Sequence, residues 1–203
     1  MHRKIFAAIL LFVCTVIAQT PPTNLPPSAP GAIFEGHANI LINAPIQKAW
    51  DVLLDFPSYP EWNPFVRKQT VTNALYVPLN DQTPQVNLRL IIEAQIPPLP
   101  SPVTATTPPN LLHEQHSFEN ITVVDRVRHR VAWKQIMIPD ALLTAERWQG
   151  LSEVEGGGTY YESREAFYGP LAVVVGGLMG TGLQEGFSAQ AAAFKVRVES
   201  LTQ

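Results

Sequence analysis

The chain has 203 residues, 14 Lys+Arg against 17 Asp+Glu, and a formal net charge of −3. A mildly acidic chain with no basic block argues against nucleic acid and anionic membrane as partners. The single cysteine, Cys14, lies in the N-terminal apolar stretch, so the rest of the chain holds no disulfide, thiol nucleophile or cysteine metal site.

His2, Arg3 and Lys4 form a basic start, Ile5 to Ile17 an apolar run, and Ala18 a small residue at a cleavage position. Residues 1–18 therefore read as a secretory signal peptide cut near Ala18, with an uncleaved anchor as the alternative. Losing Arg3 and Lys4 takes the charge from −3 to −5. The expected location is the secretory pathway or outside the cell, without stable membrane insertion. Stability must then come from a large core, because no disulfide staples the fold. In that setting Asn120-Ile121-Thr122 is a glycosylation sequon.

Residues 19–32 are proline-rich and aperiodic, which predicts an extended linker ahead of one domain over 33–203. Phe34 to Ile42 alternates as a strand. Asn43 to Val66 then reads as a short helix ended by an aromatic turn. Pro45 suits its first position, Asn43 or Ala44 its cap, with Asn43 the better acceptor, and Ile46, Ala49, Trp50, Leu53 and Leu54 form one apolar face. Asp55, Pro57 and Pro60 stop it, and Tyr59, Trp62 and Phe65 gather in the loop beyond.

Val71 to Val77 is a weak strand candidate and Gln85 to Gln95 a strong one, with Val86, Leu88, Leu90 and Ile92 on one face. The proline-rich stretch 97–110 cannot join a sheet interior and predicts a long surface loop. Leu112–Val124 with Arg130–Ile138, and Leu143–Val154 with Thr159–Phe167, predict two hairpins, the second turning through Gly156–Gly158. From Pro170 the pattern becomes helical, with Gly176, Gly177, Gly180, Gly182 and Gly186 inside it. Each glycine weakens the helix by on the order of 1 kcal/mol relative to alanine, which implies close backbone approach or a bend. Leu171–Leu183 is too short to span a membrane.

Three segments resemble one family. They are Ala44-Pro45 with Ala49-Trp50-Asp51-Val52-Leu53 and Tyr59-Pro60-Glu61-Trp62-Asn63-Pro64-Phe65; Val131-Ala132-Trp133 with Ala145-Glu146-Arg147-Trp148; and Gly156 to Ala172 with the helix after it. Together they resemble the SRPBCC (START-like) superfamily in its polyketide cyclase/dehydrase branch, over about Phe34 to Leu201. The resemblance implies an α+β helix-grip fold: a curved antiparallel sheet wrapped around a long C-terminal helix, enclosing an apolar cavity. It implies a hydrophobic small-molecule ligand and, for an enzyme, cyclisation, dehydration or isomerisation without a cofactor, as in secondary metabolism. The alternative is a non-catalytic carrier of lipid, sterol or quinone. Glu146 stands where relatives often carry a histidine, so no role passes to that position.

Alternation on the last strand puts Tyr161, Ser163, Glu165 and Phe167 on one face, which the resemblance turns toward the cavity. Glu165 is then a candidate general acid or base and Tyr161 a hydrogen-bond donor to a developing enolate. The plainer alternative pairs Glu165 with Arg89, Arg128 or a backbone amide. Tyr59, Trp62 and Asn63 are candidate ligand contacts at a mouth, against packing of Trp62 on the last helix and a turn cap by Asn63. Trp133 and Trp148 are candidate cavity wall, with Ser163 and Phe167. His113 and His116, three apart on a strand, face opposite ways, so no metal is assigned. No phosphate-binding or dinucleotide motif is present.

Overall fold

The computed structural model describes residues 23–202; the expected leader, its cleavage site and residues 19–22 lie outside them. The elements run β1 (Phe34–Ile42), α1 (Ile46–Leu54), a 3-10 turn (Phe56–Ser58), α2 (Tyr59–Trp62), β2 (Val66–Thr72), β3 (Arg89–Gln95), β4 (Glu114–Asp125), β5 (Arg130–Gln135), β6 (Thr144–Val154), β7 (Gly158–Tyr168) and α3 (Pro170–Ser200). All seven strands join one antiparallel sheet in the order β1-β7-β6-β5-β4-β3-β2. Bulges at Val66/Lys68 and Ile121/Val123 interrupt the ladder, and such insertions bend a strand and increase its twist. The curved sheet grips α3 on its concave side, giving the expected α+β architecture.

Strand alternation separates the faces. Leu90, Ile121, Val131, Trp133, Leu151 and Tyr161 are buried inward, and α3 closes over them with Leu183, Phe187, Ala191, Phe194 and Val198. The helix is a single element of 31 residues despite its glycines. Two of them serve close approach: a Cβ on Gly186 would sit 2.5 Å from the Phe65 ring, and one on Gly182 3.0 Å from Ile96, whereas one on Gly177 would meet nothing within 4 Å.

Three local expectations need correction. Pro45, not Asn43, occupies the N-cap of α1, and the Asn43 amide instead donates to Glu199 Oε1 at the end of α3. Strand β2 begins at Val66 and ends at Thr72, because Asn73 Oδ1 accepts the amides of Leu75 and Val77 and closes a turn where a strand was expected. The strand expected over Gln85–Gln95 begins only at Arg89, since Asn87 adopts a positive φ.

The proline-rich segment is extended over its described part, 23–32, but it is not a free tether. Glu162 accepts hydrogen bonds from the Thr23 hydroxyl and the Asn24 and Leu25 amides. The Asn24 side chain donates to the Arg128 and Leu151 carbonyls, Arg164 donates to Pro26, and Tyr168 donates to Ala29. Leu25 is buried against Gly150, where a Cβ would meet it at 2.8 Å. The segment is a strap across the outer face of β6 and β7.

Candidate functional site

Between the concave face and α3 lies a cavity of about 280 Å³. Phe65, Ile92, Trp133, Phe167 and Leu183 supply apolar wall, and Met137, half exposed, marks its mouth. Three charged side chains face this space: Glu119 from β4, Arg147 from β6 and Glu165 from β7. Strand period puts them there, since Leu90, Glu119, Arg147 and Glu165 all occupy inward positions of neighbouring strands.

Arg147 is 4% exposed and is held by two hydrogen bonds and two aromatic rings. Its Nε donates to Ser163 Oγ (3.3 Å), a terminal nitrogen donates to Gln190 Oε1 (3.1 Å), and the guanidinium lies 4.3 Å from the Phe187 ring centre and 5.5 Å from that of Phe65. Behind it, Gln149 Oε1 accepts from Tyr161 (2.6 Å) and from Gln190 Nε2 (3.2 Å). The result is a continuous polar network in an apolar interior, which fixes Arg147 in one orientation.

The carboxyls are less satisfied. Burial pushes Glu119 well above the usual carboxylate range, the Glu165 charge pushes it further, and the Ser117 hydroxyl and Arg147 oppose this. Burial also raises Glu165, with Arg147 opposing. Among the described residues neither carboxyl has a cationic partner within 4.0 Å. In such a site a carboxyl donates a hydrogen bond when neutral and accepts a proton when ionised. The site can therefore hold an oxygen function and move a proton beside it.

The expected residues divide. Glu165, Phe167 and Trp133 line the cavity. Tyr161 and Ser163 face inward as alternation requires but belong to the polar network behind it; Tyr161 is 1% exposed, packs 4.9 Å from Phe194, and does not reach the cavity wall. Tyr59, Trp62 and Asn63 are not its mouth. The Tyr59 hydroxyl is spent on the Leu53 carbonyl (2.7 Å), Trp62 packs on Tyr59 and Phe194, and Asn63 Oδ1 caps the Phe65 and Val66 amides (both 3.0 Å). Trp148 lies on the outer face beneath the strap, beside Pro27 and Arg164. Neither Arg89 nor Arg128 meets Glu165: Arg89 donates to Asn120 Oδ1 (2.6 Å) and Arg128 joins Asp125 in the β4–β5 turn.

Glu119, Gln149 and Gln190 escape the sequence reading, and Arg147 enters it only as part of a motif. Alternation within Ala145-Glu146-Arg147-Trp148-Gln149 was the available signal, because it puts Arg147 and Gln149 opposite Trp148. The histidine pair does not act together. Instead Glu93, Glu114 and His116 bring ligand atoms within 4.8 Å of one another on the outer face, with Glu93 already bound by Lys68 at 2.9 Å.

A seven-stranded sheet gripping one long helix around an internal cavity defines a START-like helix-grip protein. The family model for polyketide cyclase / dehydrase and lipid transport proteins matches residues 34–199, and the chain belongs to that family. The fold is similar to that of a START superfamily protein from Mycobacterium smegmatis (16% identity, TM-score 0.53, 82% of this chain and 98% of that one). It is also similar to the Zhui aromatase/cyclase from Streptomyces sp. R1128 (13%, 0.57, 83% and 95%). A norcoclaurine synthase from Thalictrum flavum gives 15%, 0.55, 83% and 96%. No curated protein matches the chain.

Proposed function

We propose that this protein binds a hydrophobic small molecule carrying at least one oxygen function, and transforms it by proton transfer. The observation that carries the reading is the placing of Glu119, Arg147 and Glu165 on the wall of an otherwise apolar cavity. Burying three ionisable groups is costly, and a purely greasy carrier would do better without them. Glu119, held neutral, donates to a ligand oxygen; Glu165 takes a proton from an adjacent carbon or returns one to a leaving hydroxyl. Arg147 keeps the local charge near balance without contacting Glu165. That chemistry suits cyclisation, dehydration or isomerisation, and needs shape and acid–base groups alone. The aromatase/cyclase and synthase with similar folds are consistent with such use.

The competing reading is a carrier for lipid, sterol or quinone, favoured by the network that satisfies Arg147 internally. Protein recovered from its host and examined by native mass spectrometry would identify the bound class. Incubation with the corresponding biosynthetic precursor then separates the two: Glu165→Gln should abolish turnover while keeping affinity, and wild-type protein that binds without turnover is a carrier.

Secretion and glycosylation at Asn120 are part of this proposal. The Asn120 side chain lies on the outer face of β4, half-buried beside Arg89. A mass loss on glycosidase treatment that disappears in Asn120→Gln supports it; an unmodified mass from the native host opposes it.

A further inference from the structure

Strand register assembles a second group of ionisable side chains, on the outer face of the sheet and apart from Glu119, Arg147 and Glu165. Glu93 of β3 is the direct cross-strand partner of His116 on β4 and of Lys68 on β2. Glu114 lies two residues before His116, so both project from the same face of β4. One ligand atom from each of Glu93, Glu114 and His116 lies within 4.8 Å of the others, the one such group among the described residues. His116 Nε2 is 3.5 Å from Glu114 Oε1, and Lys68 Nζ is 2.9 Å from Glu93 Oε1.

The charges of this group are not balanced. Lys68 touches Glu93 alone, and among the described residues the only ion-pair contact of Glu114 is His116. Two carboxylates therefore share one ammonium, and a cation between them would relieve their repulsion. There is room for one. Strand β5 ends at Gln135, opposite Glu119, so no β5 residue pairs His116 on its far side. Glu93 and Glu114 are half-buried and His116 is exposed.

We infer that Glu93, Glu114 and His116 bind a divalent first-row d-block ion such as zinc, with water completing its coordination. An imidazole nitrogen beside two carboxylate oxygens suits zinc, cobalt or nickel, whereas calcium and magnesium take oxygen ligands. Ligands about 2.1 Å from one ion stand at most about 4.2 Å apart, so the side chains need to close by less than about 1 Å. Glu93 exchanges its Lys68 contact for the ion, a small loss because a pair with an exposed ammonium is weak. The ion ties β3 to β4 beside the cavity, whose lining includes Gln115, His116 and Ser117. The unfolded chain holds no such cluster, so binding favours the folded state.

The test uses full-length Cys14→Ser protein, so that no thiol competes, stripped with chelator and titrated with zinc chloride. Calorimetry should show a single equivalent bound, and the melting temperature should rise with zinc concentration. Cobalt(II) chloride in place of zinc should give visible ligand-field absorption. His116→Ala and Glu114→Gln should each weaken zinc binding at least about tenfold, a loss that even an outer-shell partner can cause. Glu114→Gln keeps the shape of the side chain, so a loss shared with His116→Ala reports the ligands and not the fold. His113→Ala should leave binding unchanged, since that ring meets Asn110 at 3.2 Å and not the cluster. Lys68→Met should tighten binding by removing the competing ammonium. Folded wild-type protein that takes up no zinc at about 100 µM overturns the inference. Binding that survives His116→Ala, or that falls in His113→Ala or Lys68→Met, overturns it equally, because the ion then sits on other ligands.

Discussion

Arg147 and Glu165 are direct cross-strand partners on β6 and β7, yet no ion pair closes between them. The guanidinium turns away to Ser163 and Gln190 and stacks on Phe187. Glu165 is left facing the cavity with its acidity weakened by burial. A charge satisfied elsewhere tunes the carboxyl without occupying it.

Arg147→Met should therefore raise the proton affinity of both Glu165 and Glu119, since Arg147 lowers both. The same change leaves Ser163 and Gln190 without their donor and should cost on the order of 2 kcal/mol. Carboxyl-carbon NMR titration and urea unfolding measure the two effects. Unchanged titration curves would remove Arg147 from the electrostatics of the site.

Glu119 sets a pH dependence of definite sign. Its folded-state pKa lies well above the unfolded one, so between the two the folded state binds more protons than the unfolded state. Its contribution to stability is then greatest below the ordinary carboxylate range and declines as pH rises through the folded pKa. Glu119→Gln should flatten this slope and raise stability at alkaline pH. Unfolding free energies measured over a pH series would show it.

The strap depends on Glu162, which receives donors from Thr23, Asn24 and Leu25. Glu162→Ala should release it, with faster proteolytic cleavage within residues 23–31. The loss in stability should be about 1 kcal/mol, because these bonds are only partly buried. Cleavage at the wild-type rate would mean that Leu25 and Arg164 suffice.

Gly186 lets α3 settle onto Phe65, whose ring is stacked 5.7 Å from Phe187. Gly186→Ala should destabilise by about 1–3 kcal/mol through overpacking, although alanine is the better helix former. Equilibrium denaturation decides between the two effects.

The fold was largely legible because its signals are local. Alternation marks Tyr161 to Phe167, the glycine run marks the last hairpin, and helical spacing marks α1 and α3. The strand β2 was not, since Arg67, Lys68 and Gln69 break the apolar pattern and Asn63 hides its start inside an aromatic turn. Half of the site was equally hidden. Glu119 and Arg147 come from separate strands, and nothing in either segment announces the other; the long-range register brings both to the cavity. Trp62 and Tyr59 misled because aromatic loops read as rims, whereas here buried partners, Leu53 and Phe194, absorb them. Trp148 misled for want of strict alternation, which sets it outward with Glu146.

The cavity is the central claim, and filling it is the direct test. Ala145, 4% exposed, lines it, and Ala145→Phe would project a ring into the space. Native mass spectrometry of protein recovered from its host should show wild type carrying a small apolar molecule. Folded Ala145→Phe should be empty, with at least tenfold weaker affinity for the same molecule. Wild-type protein that is empty and binds no hydrophobic probe, or a variant that keeps full affinity, would contradict the account.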